Sequence, residues 1–552
     1  MGHFLFFVSV VASCLLWSAA CTAAAARTHR PWLRLLLEAM AVLAPVVALA
    51  PFVAFTGFLA FVKHMPTNWF GPTLTTFLSA FIGGTWIVWA GLARASSMPL
   101  RAEAAPAPLA ARWPVVGLAA AFVMAKAVSF GTLLILDNAV AAQAPYLRLE
   151  AAQIMQANLP PAVADADNAA TLYHQVLPVI DAEPAFKDDT SPLADRSFDI
   201  TSPRVAEVLT RHRSTLDVIR RAADLDVCRF HRDWTRPSIA MLLPELQSLR
   251  QAARLLALAA RREAADGNLP GALRDVVRLQ QMGRHAAAEP ILISSLVGNA
   301  IDTMALDTLT DVLPRLRKAD LPALDAEGIR DLVATVPPIS RSFYGEEAFG
   351  LATFADIADG RLDPTTLNQA MGSVIPFWSS PLDMPAVSLF RSFFLLPDIA
   401  GYRSLMHRYQ AQFTSQKTYA DVMTSSKQIE EEIRDHTPGM LSSLLVPALG
   451  SVVRAHAQNE ARHRAASVLV AATRQRLETG ELPKSLDDLV PGTMPAVPRD
   501  PFTADQPLLM KRDNATLLVY SIGPDGEDDG GPVAPGADRV EGNDDIGWRM
   551  SL

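Results

Sequence analysis

The sequence predicts a mainly α protein in three parts. These are a four-helix transmembrane unit over residues 1–137, a large extracytoplasmic α-helical domain over 138–445, and a small C-terminal α+β module over 446–552. Three observations predict it. Long apolar runs crowd the first quarter of the chain. Apolar residues then recur at spacings of three and four between short Pro/Gly breaks. Two β-like runs and an acidic, glycine-rich stretch come last. Composition agrees: 19% of residues are charged and 50% hydrophobic, whereas soluble domains carry roughly one quarter charged residues.

The apolar runs are Phe4–Ala26, Leu35–Val62, Thr73–Ala93 and Pro114–Leu136. Each reaches the ~20 residues that a helix needs to cross a bilayer. Trp69, Trp86, Trp89 and Trp113 fall at or near run ends, where interfacial anchors sit. Arg27, Arg30 and Arg34 follow the first run, and Arg94, Arg101 and Arg112 follow the third. The loop between offers only Lys63 and His64. The positive-inside rule then predicts a multi-pass protein of the cytoplasmic membrane, with both termini and everything after Asp137 outside. The lipid bilayer is its first expected partner. Lys126 interrupts the fourth run. A charge there costs at least ~2.5 kcal/mol, so it must face the bundle interior or water. It reads either as part of an ion or substrate path, the basis for an enzyme or transporter-associated role, or as a snorkelling side chain.

The middle region reads as amphipathic helices. Leu242, Leu243, Leu246, Leu249, Ala253, Leu256 and Ala260 share one stripe, with arginines at other positions. Asp266–Gly271, "DGNLPG", ends that helix and starts another, with Gly267 a natural left-handed stop and Pro270 suited to a first turn. Ile293 to Leu309 repeats the pattern. Such stripes are core faces first. No repeat at a fixed period runs through them.

Charge and motifs exclude several functions. The net charge is −8 and the pI near 5.8, so no nucleic-acid partner is expected. Of three cysteines only Cys228 lies in the polar part, which rules out a disulfide there. No nucleophile elbow, phosphate loop, C-x-x-C or dinucleotide fingerprint sits in a suitable context, so no catalytic residue is expected. His456, Glu460 and His463 share a helix face at i, i+4 and i+7, which admits a transition metal. Arg454, Arg462 and Arg464 oppose it, and a solvated polar face is the plainer account. Glu346 and Glu347 are adjacent, so they diverge by about 100° on a helix and make no carboxylate pair.

The C-terminal stretch carries the most specific signal. A helix over about Val446–Thr479 stops at Gly480. Then come "LPKSLDDLVP", the step "DPF", β-like runs at Pro507–Lys511 and Thr516–Ser521, "YSIGPDGEDDGG" from Tyr520, and "DDIGW" ending at Trp548. This ending resembles the C-terminal domain of the major pseudopilin of bacterial type II secretion. Tyr520, Ser521, Gly523, Asp525, Gly526, Gly530, Gly531, Asp545, Ile546 and Trp548 match its closing motif. The resemblance covers about the last ninety residues. It implies a pseudopilin-like fold, a calcium-binding closing loop in which Asp525 and Asp545 are the matching carboxylates, and envelope or secretion-system proteins as partners. Asp544 is an additional acid beside Asp545. The N-terminal processing motif of pseudopilins is absent, and "PVAPGADRVEGN" widens the loop.

The residues make a separate case for a cation. Asp525, Glu527, Asp528, Asp529, Asp538, Glu541, Asp544 and Asp545 crowd one segment against Arg539 alone. Calcium takes six to eight oxygens on such flexible loops. The metal site is therefore expected at Asp525, Asp528, Asp529, Asp544 and Asp545; a solvated acidic tail is the competing account. The expected function is a membrane-anchored extracytoplasmic binding or scaffold protein with a calcium-stabilised, pseudopilin-like end.

Overall fold

A computed structural model describes residues 134–182, 198–362, 384–414, 419–435, 439–532 and 544–551, with short breaks, and parts of 16–41. Its principal helices are α1 (Ala144–Asn158), α2 (Ala169–Ala182), α3 (Pro203–Arg211), α4 (Arg213–Ala223), α5 (Pro244–Ala265), α6 (Leu269–Ala286) and α7 (Leu292–Val312). There follow α8 (Leu321–Ala326), α9 (Ile329–Ala334), α10 (Ser340–Ala358), α11 (Met384–Thr414), α12 (Tyr419–Asp435) and α13 (Met440–Thr479). The strands are β1 (Leu509–Arg512), β2 (Thr516–Ser521) and β3 (Ile546–Ser551).

The structure corrects the expected fold class. Among the described residues no helix is long and apolar enough to cross a membrane. The four-helix transmembrane unit, the multi-pass topology and the placement in the cytoplasmic membrane are therefore not supported. Length is not what fails. Helix α11 has 31 residues and α13 has 40. The first carries Arg391, Asp398 and Arg403, and the second Arg454, Glu460, Arg462 and Arg464. Charges at that density are too costly in hydrocarbon. The four apolar runs, and Lys126 within the fourth, lie almost wholly outside the described residues.

The chain divides into two compact units. The first takes Met1–Arg148, Leu351–Arg403 and Glu430–Leu444. Ion pairs tie its described segments: Arg148 reaches Asp356 at 2.6 Å and Asp359 at 2.7 Å, and Arg391 pairs with Asp137. Asp398 supplies a remote helix cap. Its Oδ1 accepts the Ser442 N–H at 3.1 Å in the first turn of α13, which satisfies a donor that a helix start leaves unpaired.

The second unit takes Leu149–Gly350, Ser404–Ile429 and Leu445–Leu552. Helices α5, α6 and α7 form its centre. The α5–α6 corner follows from local chemistry. Gly267 takes φ +89°, a left-handed stop. Asn268 then caps α6 by accepting the Gly271 N–H at 3.2 Å. Charged side chains knit the helices: Arg220 of α4 reaches Glu263 of α5 at 2.6 Å and Asp275 of α6 at 2.5 Å. The antiparallel sheet has the order β1-β2-β3, with Leu509 opposite Tyr520 and Val519 opposite Trp548. Leu517, Val519, Trp548 and Met550 share one core with Leu469 and Ala472 of α13 and Leu306 and Leu309 of α7. The indole N–H of Trp548 donates to Arg462 O at 2.9 Å.

His285 sets a pH dependence for this unit. Its Nε2–H donates to Leu225 O at 2.8 Å, which leaves Nδ1 to accept the Tyr173 hydroxyl at 3.0 Å. Burial pulls its pKa down from 6.5 to about 4. Between those values the unfolded chain binds the extra proton, so stability is full above pH ~6.5 and falls as pH drops toward about 4. The loss expected is about 3 kcal/mol from this group. Urea midpoints measured across that window should fall in the wild type and flatten in His285→Gln.

Candidate functional site

The acidic turn begins where β2 ends, and Asp500 of the "DPF" step anchors it. Asp500 is buried. Its Oδ1 accepts the Phe502 N–H at 2.9 Å and the Ser521 hydroxyl at 2.7 Å, and its Oδ2 accepts the Ile522 N–H at 3.0 Å. Ser521 Oγ in turn accepts the Gly523 N–H at 3.1 Å. Gly523 has φ +72°, and a Cβ there would lie 2.0 Å from Asp544 O. Only glycine lets the turn approach the strand that carries "DDIGW" so closely.

The five expected ligands take different places. Asp525 closes its own turn by accepting the Glu527 N–H at 3.1 Å, and it is exposed. Asp528 Oδ1 accepts the Tyr520 hydroxyl at 2.8 Å and the Gly530 N–H at 2.9 Å. The Tyr520 hydroxyl, then the Gly530 N–H and Lys511, hold its carboxyl below the usual range. Asp529 Oδ2 accepts the Asp544 N–H at 3.2 Å. Asp545 Oδ2 accepts the Gly531 N–H at 2.6 Å. Asp545 is only 7% exposed, and among the described residues its Oδ1 is buried without a hydrogen-bond partner. Burial pushes this carboxyl up, and the charges of Asp528 and Asp529 push it further.

The turn therefore brings Asp528, Asp529 and Asp545 within electrostatic reach and ties Asp544 to them through its backbone. Asp525 stands apart. Among the described residues no three His, Cys, Asp or Glu side chains gather in a group that could hold a metal ion, the five expected acids included. Calcium also draws oxygens from backbone carbonyls and water. Residues 533–543, with Asp538 and Glu541, lie outside the described residues.

The other candidates are engaged elsewhere. Glu460 pairs with Arg464. His463 is 1% exposed; Nε2 lies 2.5 Å from Asp302 Oδ2 and Nδ1 lies 3.2 Å from Val333 O. Both ring nitrogens are thus engaged by buried oxygens, and Glu460 by Arg464, so the helix face of His456, Glu460 and His463 is not presented as a ligand set. Burial also lowers the pKa of His456. Glu347 is buried and accepts from Gln410 Nε2 at 2.7 Å. Burial lifts Glu346 to about 7. Sequence reasoning missed Asp500 and Asp302. An Asp before Pro is a turn signal that points to the first; nothing local marks the second.

No protein family, curated protein or solved structure matches this chain.

Proposed function

We propose that the chain is a non-enzymatic binding and scaffolding protein whose C-terminal turn is held by calcium. Asp545 carries the proposal. A carboxylate oxygen buried without a donor is costly, and two neighbouring carboxylates add repulsion. A divalent cation relieves both at once.

The test is calorimetry and thermal melting of the full chain with calcium. The wild type should bind calcium and melt higher in its presence, and Asp545→Asn should lose both. The sign with pH is set. A carboxyl whose folded pKa is raised favours the fold while protonated and costs stability as pH rises through that value. The calcium-induced rise in Tm should therefore grow with pH through the carboxylate range. No calcium heat in the wild type, with no shift in melting, would sink the proposal.

A further inference from the structure

We propose that Lys511 is a built-in competitor at the acidic turn. Its ammonium holds the place on Asp528 that calcium takes, and so sets the calcium concentration at which the turn fills. This deepens the calcium reading of the turn and rests on it. The sheet register delivers the lysine. Asp513 N–H donates to Thr516 O at 3.0 Å and closes the β1–β2 hairpin, and Lys511 stands opposite Leu518. Tyr520 lies two positions further along β2 and shares that face, because side chains alternate along a strand. The Lys511 ammonium is accordingly 5.2 Å from the centre of the Tyr520 ring, within cation–π range. A shift of one residue in register would turn Lys511 to the opposite face.

The same register puts that ammonium on Asp528. Lys511 Nζ lies 3.4 Å from Oδ1 and 3.4 Å from Oδ2. Equal distances place it astride the carboxylate, where a cation held by both oxygens sits. Oδ1 already accepts the Tyr520 hydroxyl and the Gly530 N–H. Oδ2 meets Lys511 alone among the described residues. The oxygen of Asp528 with room for a cation is therefore the one that Lys511 covers.

Lys511 can leave at small cost. Its side chain is 50% exposed and that of Asp528 is 44% exposed, and an ion pair so exposed adds little to stability. A flexible four-carbon stem lets the ammonium swing into water. A dication on Asp528 repels an ammonium at contact distance, so the two exclude each other. Arg512, the next cation on β1, is turned elsewhere. Alternation puts it on the other face of the strand, and its Nη1 donates to Leu482 O at 3.1 Å. It carries the same charge without the contact to Asp528.

The experiment is calorimetric titration of the full chain with calcium chloride at low ionic strength, for the wild type, Lys511→Met and Arg512→Met. Lys511→Met should bind calcium about tenfold more tightly than the wild type. Arg512→Met should stay within about twofold of it. Added salt should narrow the gap between Lys511→Met and the wild type, because the competing charge is exposed. Melting without calcium checks that both variants fold. Calcium bound by Lys511→Met no more tightly than by the wild type overturns the inference. Equal tightening by Arg512→Met also overturns it, since general charge would then be the cause. No calcium heat from any of the three chains overturns the calcium reading itself, and this inference with it. Wild-type binding that Lys511→Met leaves unchanged overturns the lysine alone.

Discussion

Replacing Asp302 with alanine should lower the unfolding free energy of the second unit by about 3–5 kcal/mol. The reason is the buried polar groups left behind. His463 and Asp302 are each 1% exposed and meet at 2.5 Å. Asn459 Nδ2 also donates to Asp302 Oδ2 at 2.8 Å. Without the Asp302 side chain the buried His463 ring and Asn459 both lose their partner, and each such loss costs about 1–3 kcal/mol. The penalty lies in breaking the pair and is no measure of what the pair adds. A double variant, Asp302→Leu with His463→Leu, should therefore cost much less than Asp302→Ala alone. Urea unfolding of the two variants checks this. A double variant as unstable as the single would show that packing, not the unpaired polar groups, sets the cost.

Asp500→Ala should destabilise the C-terminal end by roughly 4 kcal/mol. Three hydrogen bonds to one buried carboxylate go together, from Phe502, Ser521 and Ile522. Bonds to a charged group are worth about 1.5–3 kcal/mol each, though not additively. The Ile522 N–H also loses its acceptor. Because Asp500 holds the root of the acidic turn, the variant should lose the calcium response as well. Asp500→Asn, which keeps one acceptor, should lose about half the stability. Hydrogen exchange at the Ile522 and Gly523 amides should accelerate in both. Unchanged protection there would show that the turn does not depend on Asp500.

Much of the helical architecture was legible because it is local. Gly267, Asn268 and Pro270 mark the α5–α6 corner within four residues, and caps and stops act over one turn. The stripe from Leu246 to Ala260 declares a buried face. The hairpin was legible too, since Thr516–Ser521 is a short apolar, strand-forming run and turn residues precede it. β3 was not read. Its signal was nevertheless present: Ile546, Trp548 and Met550 alternate with Gly547, Arg549 and Ser551, as a strand with one buried face does. The transmembrane reading came from hydropathy alone, and the charged long helices of the described residues do not support it.

The site divides the same way. The sequence by itself determined that acids and glycines would cluster after Tyr520, because turn chemistry and charge are properties of neighbours in the chain. Only the tertiary structure decided which acid is buried. Asp545 is 7% exposed while Asp525 is exposed, because β3 pairs with β2 and carries Asp545 inward beneath Gly531. The His463–Asp302 pair is of the same kind, its partners 161 positions apart in the chain. Local propensity acts over a few residues, whereas desolvation and ion pairing depend on what the fold brings together across the chain.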